Sequence, residues 1–193
     1  MSIPQSLRII RDEHAALSSV LQSMLLLRQG PGEDSRRFFD SLSAMLLYID
    51  EFPEQLHHRK ETELLFPLVL RAAPETREAI ARLDGEHEKG APAVRELQHL
   101  LLAWRFLGAS RRQPFVDALT RYVAFYREHM RLEESEILLI AQAVLTAQDW
   151  AALDAAFGLN QDPLAGQHSV AADYQKLFSL IVHDTPTPIG LGA

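Results

Sequence analysis

At 193 residues the chain has room for one domain with a sizeable core, or for one domain plus an appendage, and its 47% hydrophobic and 23% charged residues are ordinary for a globular protein. A net charge of -7, with no basic patch beyond Arg111-Arg112, excludes nucleic acid as the main partner. The lack of cysteine excludes disulfides, thiolate zinc sites and iron–sulfur clusters, and leaves His, Asp, Glu and Tyr as the available metal ligands.

The first residues carry no basic region followed by an apolar stretch, and no apolar run approaches the roughly 20 residues that span a bilayer, so a cytoplasmic protein is expected. Residues 4–28 read as a helix with Leu7, Ile10, Leu17, Leu21 and Met24 on one stripe and His14 within it; Gly30-Pro31-Gly32 ends it. A second helix runs from about 35 to 72, with a kink or local unwinding at Pro53 and another bend at Pro67. The third, from about 75 to 107, carries Ile80, Leu83, His87, Val94, Leu97 and Leu101 and stops at Gly108. Ser110 to Gln113 reads as a capping box opening a fourth helix with Tyr122, Phe125, His129, Glu133 and Ile137. Beyond about 147, Asp149 caps one or two turns that end at Gly158. A last helix covers 168–183, and the tail from Pro186 to Gly192 is not helical. No strand pattern and no repeat at fixed period is visible. The expected fold is all-α: an up-down-up-down four-helix bundle over 1–147, with a C-terminal helical extension and tail, 148–193, packed on it.

Five histidines, His14, His57, His58, His87 and His129, fall where four such helices can aim them at one layer. Glu61 and Glu133 follow His57 and His129 by four residues, on the same helix faces. In an antiparallel hairpin, residues equidistant from the turn share a height. His87 and His129 are centred on Gly108, and His58 and His87 on the Ala72-Ala73-Pro74 turn. His14 and His57 are centred a few residues past the first turn, a height mismatch of ~10 Å at 1.5 Å per residue, which a bulged stretch around Pro53 could absorb. Imidazole suits Fe, Zn, Cu and Ni, and carboxylates bridge harder ions; the mixture favours iron over calcium or magnesium.

The segments Arg11-Asp12-Glu13-His14, Phe52-Pro53-Glu54-Gln55-Leu56-His57-His58-Arg59-Lys60-Glu61 with Leu65-Phe66-Pro67, Glu86-His87-Glu88 and His129-Met130-Arg131-Leu132-Glu133 resemble the hemerythrin-like, or HHE cation-binding, domains over about residues 5–145. The stretch from Asp149-Trp150 to Asp162-Pro163-Leu164 looks like an extension of some bacterial members. The resemblance implies a non-haem di-iron centre, with Zn or Mn as alternative occupants. His14, His57, His87 and His129 match its terminal nitrogen ligands, and Glu61 and Glu133 its carboxylate bridges. His58, about 100° round the helix from His57, either reaches the second metal or lines the site. Oxygen carriers of this family place a second histidine four residues before the one matched by His87. Here that residue is Leu83, which cannot bind iron, so one metal keeps a freer position unless His58 replaces it.

The expected function is therefore a di-iron protein that senses, stores or detoxifies O2, NO, peroxide or iron. A di-iron oxidase, peroxidase or NO reductase, and a metal-free helical interaction module, are the alternatives. The expected partners are a small diatomic ligand or peroxide, with no nucleic acid and no membrane; a homodimer is compatible with the sequence. Asp84 and Glu86 are expected to be solvated, Tyr126 to lie in the core or at the rim of the site, and His99, His168 and His183 to stand apart. A ferritin-like site is disfavoured: Glu54-x-x-His57 is one Glu-x-x-His motif, and a second is missing.

Overall fold

The computed structural model describes residues 3–29, 33–165, 172–185 and 187–190; Gly30-Pro31-Gly32 and His168 lie outside them. The described residues are helical and contain no strand, so the chain is an all-α helical bundle. The apolar stripe of the first segment forms α1 (Gln5–Leu27). Ser35 accepts a hydrogen bond from the Phe38 amide at 3.1 Å and opens α2, a rod that begins as Arg36–Ile49. It runs on through a π-helical stretch, Asp50–His57, a short α-helical piece, His58–Lys60, a second π-helical turn, Glu61–Leu65, and α-helical Phe66–Ala72. Pro53 accounts for the first π stretch. It has no N–H to give the previous turn, so the ladder is rethreaded with i→i+5 bonds and the rod unwinds without breaking.

α3 (Arg77–Leu107) follows a 3-10 turn at Pro74–Thr76 and ends at Gly108, whose φ of 87° is open to glycine and strained for other residues. α4 begins as Arg112–Leu132 and continues through a π turn, Glu133–Ile137, into Leu138–Val144. The expected capping box at Ser110 does not form. A 3-10 turn, Ala109–Arg111, fills the join, Arg111 stands at the cap without a side-chain bond, and Gln113 donates to Asp117. The capping box lies further on, where Thr146 and Asp149 satisfy each other's amides at the start of α5 (Ala147–Phe157). α5 packs on α1. The last helix, α6 (Gln175–Asp184), packs on α2 after a 3-10 turn at Ala172–Tyr174. Among the described residues, no helix is long and apolar enough to cross a membrane.

The core is in two pieces. One, around Phe38, Phe39, Trp104 and Phe115, fills the end of the bundle near the Gly108 turn; the rings of Phe38 and Phe39 meet Trp104 edge-on at 5.2 and 5.3 Å. The other joins Leu7, Ile10, Leu65, Phe66, Leu83, Leu138 and Phe157. Each long rod passes from one cluster to the other, and each carries its histidine at the crossing. His14 lies between Ile10 and Leu17, His57 between Phe52 and Leu65, His87 between Leu83 and Val94, and His129 between Tyr126 and Leu132. A polar layer thus separates the two apolar clusters.

Candidate metal centre

The structure brings all seven residues singled out from the sequence into that layer, in two overlapping groups. His14, His57, Glu61 and Glu133 form one; His58, Glu61, His87 and His129 form the other; within each group the potential ligand atoms lie within 4.8 Å of one another. His14 Nε2 and His57 Nε2 are 3.1 Å apart, and His87 Nε2 and His129 Nε2 are 3.2 Å apart. Two nitrogens about 2.1 Å from a shared ion would stand about 3.0–3.4 Å apart at octahedral to tetrahedral angles. The height mismatch between His14 and His57 is closed by the π stretch before His57 and by side-chain direction. Side chains lean toward the N-terminus of their own helix, which carries His57 toward the α1–α2 turn and His14 away from it.

The outward nitrogens fix the rings. His14 Nδ1 lies 2.8 Å from Glu134 Oε1, His57 Nδ1 lies 2.7 Å from Glu13 Oε2, and His129 Nδ1 lies 2.9 Å from Glu86 Oε2. His87 Nδ1 pairs with the Thr62 hydroxyl at 2.9 Å, and His58 Nδ1 faces Glu54 Oε2 at 3.3 Å. Carboxylates on Nδ1 set the tautomer that turns the Nε2 lone pair inward. Glu86, expected in solvent, therefore belongs to the site. Glu54 is held by the hydroxyls of Tyr122 and Tyr126, and the rings of Tyr126 and His87 stack on His58 at 5.6 and 4.4 Å. Tyr126 is a buried core residue that buttresses the site through Glu54 and His58. α3 comes this close because of Gly90, where a Cβ would overlap the Glu54 carboxylate and the Tyr126 hydroxyl.

Leu83 is fully buried in the apolar cluster below the layer. The third imidazole of the His87/His129 group is His58, carried by α2. His99 and His183 take no part in either group.

The donor set fits a cation. All four carboxylate oxygens of Glu61 and Glu133 are buried without a hydrogen-bond partner, although His57 Nε2 comes within 2.9 Å of Glu61 and His14 Nε2 within 3.4 Å of Glu133. Such orphaned charge is costly in a protein interior, and facing lone pairs of His14 and His57 repel unless a proton or an ion lies between them. The protonation pattern agrees. Burial, joined by the charge of neighbouring histidines, holds His58 and His87 below the usual imidazole value, and burial lowers His129. Burial also opposes charge on His14 and His57. Contacts with Glu133 and Glu134 nevertheless raise His14 to about 9, and Glu61 with Glu13 raises His57. Burial and then the charge of Glu133 push Glu61 up to about 8. Burial works against Glu133 as well, but His14 and His57 hold it well below the usual range. In the metal-free chain, protons on His14 and His57 occupy the electrostatic role that a metal ion would take over. A surface pocket of ≈ 490 Å³, lined by Arg11, Arg127, Met130, Arg131 and Glu134 among others, reaches His14.

Glu13, Glu54, Glu134, Thr62 and Asn160, which contact these residues or one another, were not among the candidates read from the sequence. One signal was available: Glu-His occurs at Glu13-His14 and again at Glu86-His87, each glutamate serving the histidine of the following rod. The two halves of the chain thus repeat the same contacts, although no repeat is apparent from the sequence.

A buried His/Glu cluster in a helical bundle defines a metal-binding helical protein. The family model for the hemerythrin HHE cation-binding domain matches residues 5–141, and the chain belongs to that family. Comparison with curated proteins and with solved structures gives no match.

Proposed function

We propose that the chain holds a non-haem di-iron centre and uses it to bind a small diatomic ligand or peroxide, in sensing, storing or detoxifying O2, NO, peroxide or iron. Residues 1–147 are the metal-binding unit in this reading. His14, His57 and Glu133 would hold one ion and His58, His87 and His129 the other, with Glu61 within reach of both. The observation that carries it is the set of four orphaned, buried oxygens of Glu61 and Glu133 facing inward-turned imidazoles. Two carboxylates offset much of the charge of two divalent ions, and the nitrogen-rich shell suits iron, with Zn or Mn as alternatives. When bound, iron would supply reversible electron transfer and a coordination position for the external ligand.

Each group offers four donor residues: three imidazoles with Glu61 on the His87 side, and two imidazoles with Glu61 and Glu133 on the His14 side. The pocket lined by Arg11, Arg127 and Arg131 adjoins that side. Glu13, Glu134 and Glu86 orient the rings, and the two apolar clusters limit water.

The test is anaerobic reconstitution of the purified chain with ferrous iron, followed by metal analysis and optical spectra on exposure to O2, NO and peroxide. Two irons per chain and a stable ligand band without turnover are expected. Rapid bleaching with catalytic loss of peroxide or NO would instead assign an enzyme. Well under one iron per chain would overturn the metal reading.

A further inference from the structure

The family match ends at residue 141, yet the site does not. Glu13, which holds His57, is itself buried, with only 6% of its surface exposed, and its second oxygen, Oε1, accepts from Asn160 Nδ2 at 2.7 Å. Asn160 is 4% exposed and lies past the end of α5. Its Oδ1 accepts from the Lys60 ammonium, which also donates to the Ala156 carbonyl at 2.8 Å, and Lys60 immediately precedes Glu61. The amide has a donor facing a carboxylate and an acceptor facing an ammonium, so its orientation is set by chemistry.

The other half of the bundle supplies the comparison. There Glu86 holds His129 in the same way, but its second oxygen accepts from Arg82, a half-exposed surface residue. On the His57 side a buried carboxylate has no such access to a surface cation, and an amide from the extension fills the place. The same extension is fastened independently by Asp154, which accepts from the Ser6 amide and hydroxyl at 2.7 and 2.6 Å, and by Asp162, which accepts from Tyr48 at 2.7 Å.

We propose that Asn160 is a positioning residue of the metal centre, acting through Glu13 on His57, and that metal binding beside His14 and His57 and docking of the 147–165 segment are therefore one linked equilibrium. This rests on the metal reading above. Linkage runs both ways: a segment that orients a ligand is in turn held by the ion the ligand binds.

The experiment compares wild type with Asn160→Ala, the near-isosteric Asn160→Asp, and Asp154→Ala, which loosens the same segment at a clasp remote from Glu13. Chelator competition, the Mössbauer spectrum of the iron-loaded protein, and amide exchange of residues 147–165 with and without iron are the readouts. Both Asn160 variants should weaken the ion beside His57 by up to about 10-fold, the low end of the effect of losing a ligand's own hydrogen-bonding partner, because Asn160 acts one contact further out. They should perturb one of the two iron signals and abolish the protection that iron confers on 147–165, while Asp154→Ala, which loosens docking without touching Glu13, weakens the same ion less and leaves both iron signals unchanged. Wild type that binds two irons, with Asn160→Asp unchanged in affinity and spectrum, or with iron leaving exchange of 147–165 unaltered, overturns this proposal alone. Wild type that binds no iron overturns the metal reading and this proposal with it.

Discussion

Glu61 belongs to both groups of potential ligands and Glu133 to one, which makes their amide variants unequal. Glu61→Gln should remove metal binding almost entirely, whereas Glu133→Gln should retain one ion, on the His58/His87/His129 side. Ligand that binds only the folded state at a thousandfold excess over its Kd adds about 4 kcal/mol. For a chain of this size each kcal/mol moves Tm by about 2–4 °C, so one occupied site raises Tm by roughly 8–16 °C. The metal-free variants should differ little from wild type at Glu61, by about 3 °C or less on the same scale. Glutamine keeps the size of the side chain and removes a buried carboxylate that has no hydrogen-bond partner without metal. Calorimetry with iron and with chelator, beside metal analysis of the same samples, reads both quantities. Glu61→Gln with full metal and a full metal-induced rise in Tm would refute the assignment, as would equal loss of metal in the two variants.

Three further outcomes follow from the packing and capping. Gly90→Ala places a methyl against the Glu54 carboxylate and the Tyr126 hydroxyl. Overpacking of about 1–3 kcal/mol outweighs a helix-propensity gain of about 1 kcal/mol, so a lower Tm and weaker binding on the His58 side are expected, and unchanged melting with two tightly held ions would contradict it. Thr146→Ala removes half of the capping box of α5 and should cost about 1 kcal/mol, seen as faster amide exchange in Ala147–Phe157; equal exchange would show that the cap contributes nothing. Burial raises the carboxyl of Asp162, which is bound by Tyr48 and the Leu164 amide. A carboxyl raised on folding favours the native state most below its unfolded pKa, and the benefit declines as pH rises through the folded value. Denaturant melts should therefore show Asp162→Asn gaining on wild type between acidic and neutral pH, and a gap that stays constant or closes would refute that sign.

Helix identity and the layer of ligands were legible because both follow from spacing. His87 and His129 lie symmetrically about Gly108, and apart from Gly108 and the short 3-10 turn Ala109–Arg111 the residues between them are α-helix, so counting residues measures height. The same counting misplaces His14 against His57, because Asp50–His57 is π-helical and because side-chain lean enters at each end. His58 was ambiguous for the same reason: its direction depends on the helix type around it. Ser110 illustrates a different failure, since a cap motif fits the local sequence while a 3-10 turn satisfies the join without it. Asn160 was out of reach because nothing in its own neighbourhood marks it, and the Glu-His pair that marks Glu13 does not say which histidine the glutamate serves. Their role comes from a contact between α1 and the end of α5, separated by most of the chain.

The π turns that begin at Glu61 and Glu133 have one more consequence. Buried residues recur there every fourth position, as His57, Glu61, Leu65 and Val69 and again as His129, Glu133, Ile137 and Ala141. In regular α-helix each such step would precess by about 40°, so the fourth member would face about 120° away from the first. The wider π turn unwinds part of that precession and keeps imidazole, carboxylate and hydrocarbon in a single file. Each turn therefore acts as a phase corrector between the metal layer and the apolar cluster below it. Regular α-helix over 61–65 with no residue removed would restore the step of about 40°, and carboxylate and core would drift apart in the direction they face.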